Sequence, residues 1–497
     1  MTIAQRLSAA TAAALSFLLT LSFAGCQPAP SANAPASNAN APAANVNAAS
    51  ANAATPATNA GANAQPVTLA VLDAMLADDA FARDLKSRLQ LTDDQIARLR
   101  KVAGEERAGL RESDEQSGTT TGATERASAK VREVVGADKA DQLLALARER
   151  WAGEDAGAGR MSATGDKPNA VPADTRVVVN APAFRMDVFE QGRLVKSYKV
   201  GIGYPEFPLP AGMRKADTII FNPEWTPPDE PWVEAPGSKV KVGEKVAAGS
   251  KLNPLGPIKI PIGLPSLIHG GKQPARLGNF ASHGCVGLTN ELVQDFTREL
   301  ARLGGTELND EQIKTYAKNP TETKNVKLDH AVPVELRYET MVVTDDGKLH
   351  VYRDVYDRGT NTEETLRAVL QAHGVALDQL SEQERTQALD AVKQMARDAT
   401  GNPADGGGTE RPDTNANASG RNANAASKNA NAAPGRNANA AAAEGAKVTR
   451  NVKGQREIVI EIAALKGKGY PVPVGGGFDT NEQGKQKADA PKKGKRR

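Results

Sequence analysis

The chain has 497 residues, which is enough for two or three domains, yet aromatic residues make up only 4% of it. Long tracts consist of Ala, Asn, Pro and Gly, which cannot bury a core, so the folded part must be much smaller than the length suggests. The formal net charge of +3 gives no argument for a nucleic-acid partner, and we expect none.

Residues 1–25 have the features of a secretory signal peptide, because Arg6 is followed by an apolar run that is short for a spanning helix. The run ends in LSFAGC, and these small residues before Cys26 resemble the lipobox of bacterial lipoproteins, whose cysteine becomes the lipidated first residue. Ordinary signal cleavage is the alternative, since Phe23 stands where that pattern prefers Leu. Gln27 in place of Asp is compatible with the outer membrane. We therefore expect a lipid-anchored protein of the periplasm or cell envelope.

Residues 26–65 form a low-complexity Ala/Asn-rich segment, which predicts a disordered tether with an r.m.s. span of about 35 Å. Residues 66–160 place Leu, Ile, Val and Met at helical spacing, with Thr92 as a candidate N-cap, and predict a small α-helical module. Its segment LTDDQIARLRKV resembles the LTxxQ repeat of small helical periplasmic proteins that bind unfolded chains. The alternative is a set of amphipathic helices packed on themselves or on the next domain.

Over residues 175–358 the sequence pattern changes to short runs of alternating or β-branched residues, separated by turn signals such as EQGR and TDDGK. We therefore predict a mainly β domain there. Residues 359–400 regain helical character and predict a helical extension. A second disordered Ala/Asn-rich linker is expected over 401–447. The strand-like piece within 448–475 either adds an edge strand to the main domain or waits for a partner. The basic tail over 476–497 is either solvated or a patch for an anionic surface.

The segment IHGGKQPARLGNFASHGC ends at Cys285 and concentrates histidine and cysteine in a chain that has few of either. If Cys26 is lipidated, Cys285 is unpaired in an oxidising compartment; a disulfide between the two is the alternative. A thiol attacks a carbonyl only as thiolate, so it needs a base and donors for the developing oxyanion. His269 is the candidate base, and the Gly270 carbonyl is the candidate group that fixes its tautomer.

The loop before the nucleophile carries Ser282, His283 and Gly284, and we expect the N–H groups of Gly284 and Cys285 to form an oxyanion hole. Two histidines and a cysteine could also bind zinc, but their spacing does not fit the common patterns, so we expect no metal and no cofactor. Surface or core roles are expected of the remaining histidines, which are His330, His350 and His373.

The sequence IHGG followed by SHGCVGLT resembles the signature of the L,D-transpeptidase (YkuD) family. The segments NPEWTPP and NPLGPIKI, more loosely FPLPAGM, and the strands PVELRYETMVVTDDGKLHVYRDVY are also similar to segments of that family. The resemblance covers residues 175–358. It implies a β-sandwich catalytic domain that acts on peptidoglycan stem peptides through a cysteine nucleophile.

In that family, Cys285 would attack the carbonyl of the third stem residue, expel the terminal D-Ala and form a thioester. An amine of an acceptor stem would then resolve the thioester into a 3→3 crosslink. Ser282 and His283 would shape the loop and the substrate contacts. The resemblance leaves open whether the acceptor is a stem, a protein or water, the last being an L,D-carboxypeptidase reaction.

Gly287 departs from the family pattern, which usually has Arg or Asn at this position. If that side chain anchors the loop or a substrate carboxylate, another group must replace it, and the candidates are Lys272, Arg276 and Asn290. The departure also favours a rival function, that of a catalytically weak peptidoglycan-binding lipoprotein that holds the outer membrane to the wall.

Overall fold

The structure is a computed structural model and describes residues 65–109, 111–113, 118–152, 167–227, 239–263, 266–319, 322–403, 447–449, 451–475 and 478. The predicted signal peptide, the lipidation site Cys26, nearly all of the tether, most of the second linker and almost all of the basic tail lie outside these residues. All of the described residues belong to the compact unit Thr58–Arg497.

The predicted helical module is present and has its own core. Its helices are α1 (Leu69–Leu76), α2 (Asp79–Leu89), α3 (Asp93–Gly109), α4 (Thr120–Val135) and α5 (Ala137–Ala152). Thr92 caps α3 as predicted: its Oγ1 accepts from the Gln95 N–H at 3.2 Å, while the Gln95 side chain accepts from the Thr92 N–H at 3.0 Å. The apolar faces turn inward around fully buried side chains such as Phe81 and Trp151. The amphipathic pattern is therefore satisfied within the module.

An eight-stranded sheet follows, and it confirms the prediction of a mainly β fold after the helical module. In spatial order its strands are β10 (Val286–Gly287), β8 (Leu267–His269), β7 (Ile258–Pro261), β6 (Gly212–Phe221), β11 (Lys324–Arg337), β2 (Arg176–Asn180), β3 (Arg185–Glu190) and β4 (Arg193–Lys199). Two short parallel pairs flank it, namely β5 (Ile202–Gly203) with β9 (Phe280–Ser282) and β1 (Arg111–Ser113) with β14 (Lys447–Thr449). The strands β8 and β10 form one end of the large sheet.

Helix α6 (Asn290–Leu303) packs on the sheet directly after β10, and α7 (Asp310–Lys318) follows it. The buried side chains of α6 recur every three or four residues, at Val293, Phe296 and Leu300, and enter the same core as the sheet residues. Thr289 caps α6 by accepting from the Leu292 N–H at 3.2 Å. The end of β10 and the start of α6 are thus fixed by the core.

A three-stranded antiparallel sheet contains β12 (Met341–Thr344), β13 (Lys348–Tyr352) and β15 (Glu457–Glu461). Helices α8 (Glu363–Ala372) and α9 (Glu382–Met395) share its core and account for the predicted helical extension. Of the two alternatives for the C-terminal strand-like piece, the structure shows the first, because β15 pairs with β13. Within the part of the chain that the structure describes, no helix is long and apolar enough to cross a membrane.

The helical module contacts the loop over residues 204–211, which follows β5. The side chain of Gln65 pairs with the backbone of Ala211, Thr68 Oγ1 donates to the Glu206 carbonyl at 2.7 Å, and Thr120 Oγ1 donates to the Pro205 carbonyl at 2.8 Å. These bonds fix the loop from outside the sheet.

Candidate active site

The pairing of β8 with β10 brings the two ends of the predicted catalytic segment together. The strands are parallel, with Val286 opposite Ile268 and Gly287 opposite His269. Cys285 immediately precedes Val286, and residues two apart in a strand share a face of the sheet. Cys285 and His269 therefore lie on the same face at one end of the sheet.

His269 is a buried imidazole whose tautomer is set by the backbone. Its Nδ1 lies 2.7 Å from the Gly270 carbonyl oxygen, which can only accept, so Nδ1 carries the proton and Nε2 keeps the lone pair. Burial lowers the pKa of His269 to about 3, with a further contribution from the positive charge of Lys272, while hydrogen bonds to the backbone of Gly270 and Leu255 act in the opposite direction. The ring is thus neutral at physiological pH, as a general base requires.

Cys285 is partly buried and unpaired. Burial raises the pKa of its thiol, and the backbone of Leu267 and the charge of Lys272 oppose this effect. Among the hydrogen bonds of the described residues, none joins the sulfur to the His269 ring. Catalytic hydrogen bonds are often long in ligand-free enzymes and tighten when substrate binds. The imidazole is therefore neutral in the resting site, while burial and the charge of Lys272 act in opposite directions on the pKa of the thiol.

Ser282 holds the backbone of the nucleophile. The Cys285 N–H donates to Ser282 Oγ at 2.9 Å, and Ser282 Oγ donates to the Cys285 carbonyl at 2.5 Å. The Cys285 N–H is therefore engaged in the loop, which differs from the expectation that it points at a substrate oxygen. Gly284 turns the chain between these residues with φ of +88°, a conformation that side chains rarely adopt. The oxyanion role of the Gly284 N–H stays a prediction.

His283 lies between two aromatic rings of the loop over residues 204–211. Its ring meets that of Phe207 edge to face at 4.6 Å between centroids and that of Tyr204 at 5.2 Å. The Tyr204 N–H also donates to the Ser282 carbonyl at 2.9 Å. Residues 282 and 283 thus pack against the loop over residues 204–211, which the helical module also contacts. The sequence analysis did not predict this contact. The apolar composition of FPLPAGM was the only feature of the sequence that could have indicated it.

The two Asn-Pro segments support the backbone after His269. Asn253 Nδ2 donates to the Pro223 carbonyl at 2.8 Å and joins one segment to the other. At Gly256 in the second segment, a β-carbon would lie 2.4 Å from the Gly271 nitrogen, so this segment approaches the backbone after His269 too closely for a side chain there. These motifs therefore position the histidine and do not supply a reactive group.

The three residues considered as replacements for a side chain at position 287 have different contacts. Asn290 Oδ1 accepts from the Gly271 N–H at 2.8 Å, and Arg276 Nη2 donates to the Phe280 carbonyl at 2.5 Å. Lys272 alone lies over Gly287: a β-carbon at position 287 would be 2.7 Å from Lys272 Cγ and 2.9 Å from its Cε. Burial lowers the pKa of Lys272 to about 8, and the neighbouring Cys285 opposes this effect.

Comparison with known proteins assigns a family to the part of the chain that carries this segment. Residues 174–322 match the family model for the L,D-transpeptidase catalytic domain, YkuD. The chain contains a YkuD domain. It includes β8, the loop over residues 270–285 and β10, which carry the site. No curated protein matches the chain.

Solved structures with some similarity to the YkuD domain include three L,D-transpeptidases. The catalytic domain of the E. faecium L,D-transpeptidase is 16% identical to this chain. The match covers 34% of this chain and 100% of that catalytic domain, with a TM-score of 0.21. The Ldtfm-avibactam carbamoyl enzyme is 16% identical; the match covers 33% of this chain and 49% of the enzyme, with a TM-score of 0.21. The Mycobacterium smegmatis L,D-transpeptidase is 15% identical; the match covers 33% of this chain and 59% of that protein, with a TM-score of 0.19. The chain thus spans about half the length of the Ldtfm-avibactam carbamoyl enzyme, and the domain assignment rests on the family model.

The two histidines and the cysteine of the catalytic segment do not form a metal site in the part of the chain that the structure describes. Within the described residues, no group of three or more His, Cys, Asp or Glu is placed to hold a metal ion. Of the other histidines, His350 contacts Glu457 Oε1 at 2.5 Å across β13 and β15, His373 is buried 3.4 Å from Asn169 Oδ1, and His330 is exposed. None of these three lies in the catalytic segment.

Proposed function

We propose that the protein is a peptidoglycan L,D-transpeptidase that works through Cys285. The observation that carries the proposal is the parallel register of β8 and β10, which sets the thiol and the neutral His269 on one face of a YkuD domain. A partly buried thiol next to an unprotonated imidazole is the arrangement that cysteine acyl transfer requires.

In the proposed reaction, His269 Nε2 takes the thiol proton as the sulfur attacks the carbonyl carbon of the third stem residue. The bond from that carbon to the nitrogen of the terminal D-Ala breaks, the nitrogen leaves with a proton, and a thioester remains on Cys285. An acceptor amine then attacks the thioester, the carbon–sulfur bond breaks, and the thiol is restored. Gly270 keeps the imidazole in the required tautomer through its carbonyl, as the 2.7 Å contact supports.

The test is acylation of the full-length protein by a carbapenem, followed by mass spectrometry of the tryptic peptide over residues 277–298, which contains Cys285. We expect one adduct on this peptide, no adduct in Cys285→Ala, and acylation slower by about a hundredfold or more in His269→Ala. His330→Ala is the matched control, because its histidine is exposed and remote from the segment. A folded wild-type protein without an adduct would refute the proposal.

A second candidate function is a catalytically weak wall-binding protein, which the absence of a side chain at Gly287 favours. The two functions separate when the protein is incubated with a stem tetrapeptide. An enzyme releases D-Ala, and the mass of the second product identifies the acceptor: a crosslinked dimer for an amine, or a tripeptide for water. A binding protein sediments with peptidoglycan without releasing D-Ala.

We also propose that the protein is exported and anchored by lipid at Cys26, in the outer membrane in preference to the inner. The support is the sequence alone, through LSFAGC and the Gln27 that follows it. In fractionated cells, wild-type protein should sediment with membranes and Cys26→Ala should not. Equal distribution of both forms would refute the anchor.

A further inference from the structure

Gly287 has no side chain, and the side chain of Lys272 occupies the space that one would fill. Gly287 stands two residues after Cys285, so a side chain there would project from the face of β10 that also carries the thiol. The Cγ, Cδ and Cε atoms of Lys272 lie 2.7, 3.3 and 2.9 Å from the point such a β-carbon would occupy. The stem of Lys272 therefore lies on the thiol's own face.

The backbone holds Lys272 in this place. Its N–H donates to the Leu288 carbonyl at 3.0 Å, one residue beyond Gly287, and the Leu288 N–H donates to the His269 carbonyl at 2.8 Å. The lysine is thus attached to both strands that carry the catalytic pair. Its methylene chain starts beside Leu288 and passes over Gly287 on the thiol's face, and the charges of Lys272 and Cys285 influence each other.

We propose that the Lys272 ammonium is the counter-ion of the Cys285 thiolate, and that glycine at position 287 is what gives the lysine access to it. His269 is neutral and supplies no positive charge before the reaction. Within the part of the chain that the structure describes, Lys272 is the cation whose charge acts on the Cys285 thiol. The proposal deepens the proposed function, because a lysine in this place stabilises the nucleophile of the acyl transfer.

Other charged or titratable groups surround the pair. Lys259 stands opposite His269 on β7, Arg276 lies in the loop before β9, and His283 precedes the nucleophile. Arg276 acts on Lys272 by lowering its pKa. Because these groups remain in every variant below, differences between variants report Lys272 itself.

The experiment measures alkylation of Cys285 by iodoacetamide from pH 6 to 9.5, in full-length protein, through the tryptic peptide over residues 277–298. In this probe reaction a sulfur–carbon bond forms and iodide leaves, so the rate follows the thiolate. Lys272→Met keeps the stem over Gly287 and removes the charge. We expect the thiol pKa to rise by about one unit and the rate at pH 7 to fall about tenfold. The two rates should converge above pH 8, where the lysine itself loses its proton.

Three further variants separate charge from packing. Lys272→Arg should retain a profile close to wild type. Gly287→Ala should resemble Lys272→Met, because the new methyl group displaces the lysine stem. Lys251→Met, which removes an exposed lysine, should change nothing. A wild-type profile in Lys272→Met, or an equal loss in Lys272→Arg, would overturn the proposal. Alkylation needs neither stem peptide nor β-lactam, so this result is independent of whether the carbapenem test succeeds.

Discussion

Ser282→Ala tests whether the hydroxyl next to the nucleophile holds the catalytic loop together. The substitution removes two hydrogen bonds, one from the Cys285 N–H at 2.9 Å and one to the Cys285 carbonyl at 2.5 Å. A hydrogen bond contributes about 1 kcal/mol net, and a donor left unsatisfied inside the protein costs about 1–3 kcal/mol. We therefore expect the loop to lose about 2 kcal/mol, which corresponds to roughly a thirtyfold increase in local opening.

Hydrogen–deuterium exchange of peptides that cover Cys285 measures this opening directly. The Cys285 amide should exchange about thirtyfold faster in Ser282→Ala, and carbapenem acylation should slow because the sulfur is less often in place. Ser282→Thr keeps the hydroxyl and is the matched control. Unchanged exchange in Ser282→Ala would show that the two bonds do not hold the loop, and would refute the reasoning.

Three other predictions concern groups around the site. Burial raises the pKa of Asp357 to about 6, so wild-type stability should fall by on the order of 3 kcal/mol as pH rises from about 4 to 7; Asp357→Asn should lack this fall in thermal melts across that range. Asn290→Ala removes the acceptor for the Gly271 N–H and should slow acylation about fivefold, whereas Asn290→Asp should not; equal rates in all three would contradict the role. Phe207→Leu keeps an apolar side chain but loses the edge-to-face contact with His283, so acylation should fall by up to about tenfold; an unaffected rate would exclude a role for the contact.

The sequence was sufficient to select His269 and Cys285 as candidates, because a histidine at the end of one short strand and a cysteine directly before another are local features; their catalytic roles stay a prediction. The sequence offered Lys272 as one of three candidates for the place of a side chain at position 287, but it could not choose among them, since only the folded strands bring Lys272 over Gly287. The pattern of REIVIEIAAL predicted a strand but left its neighbour open, because one apolar face fits several sheet edges. The contacts of His283 with Tyr204 and Phe207 became visible only in the structure, because these residues are far apart in the sequence.

The pairing of β13 with β15 has a consequence for the protein during its synthesis. Strand β15 becomes available only after the ribosome has translated residues 353–456, which takes on the order of 5–20 s at bacterial or slower rates. During that interval the YkuD domain is complete, while the outer edge of β13 has no strand to pair with and is open to association with other chains. A chain that ends within the Asn/Ala-rich stretch would therefore contain His269 and Cys285 but would leave the outer edge of β13 unpaired and open to association.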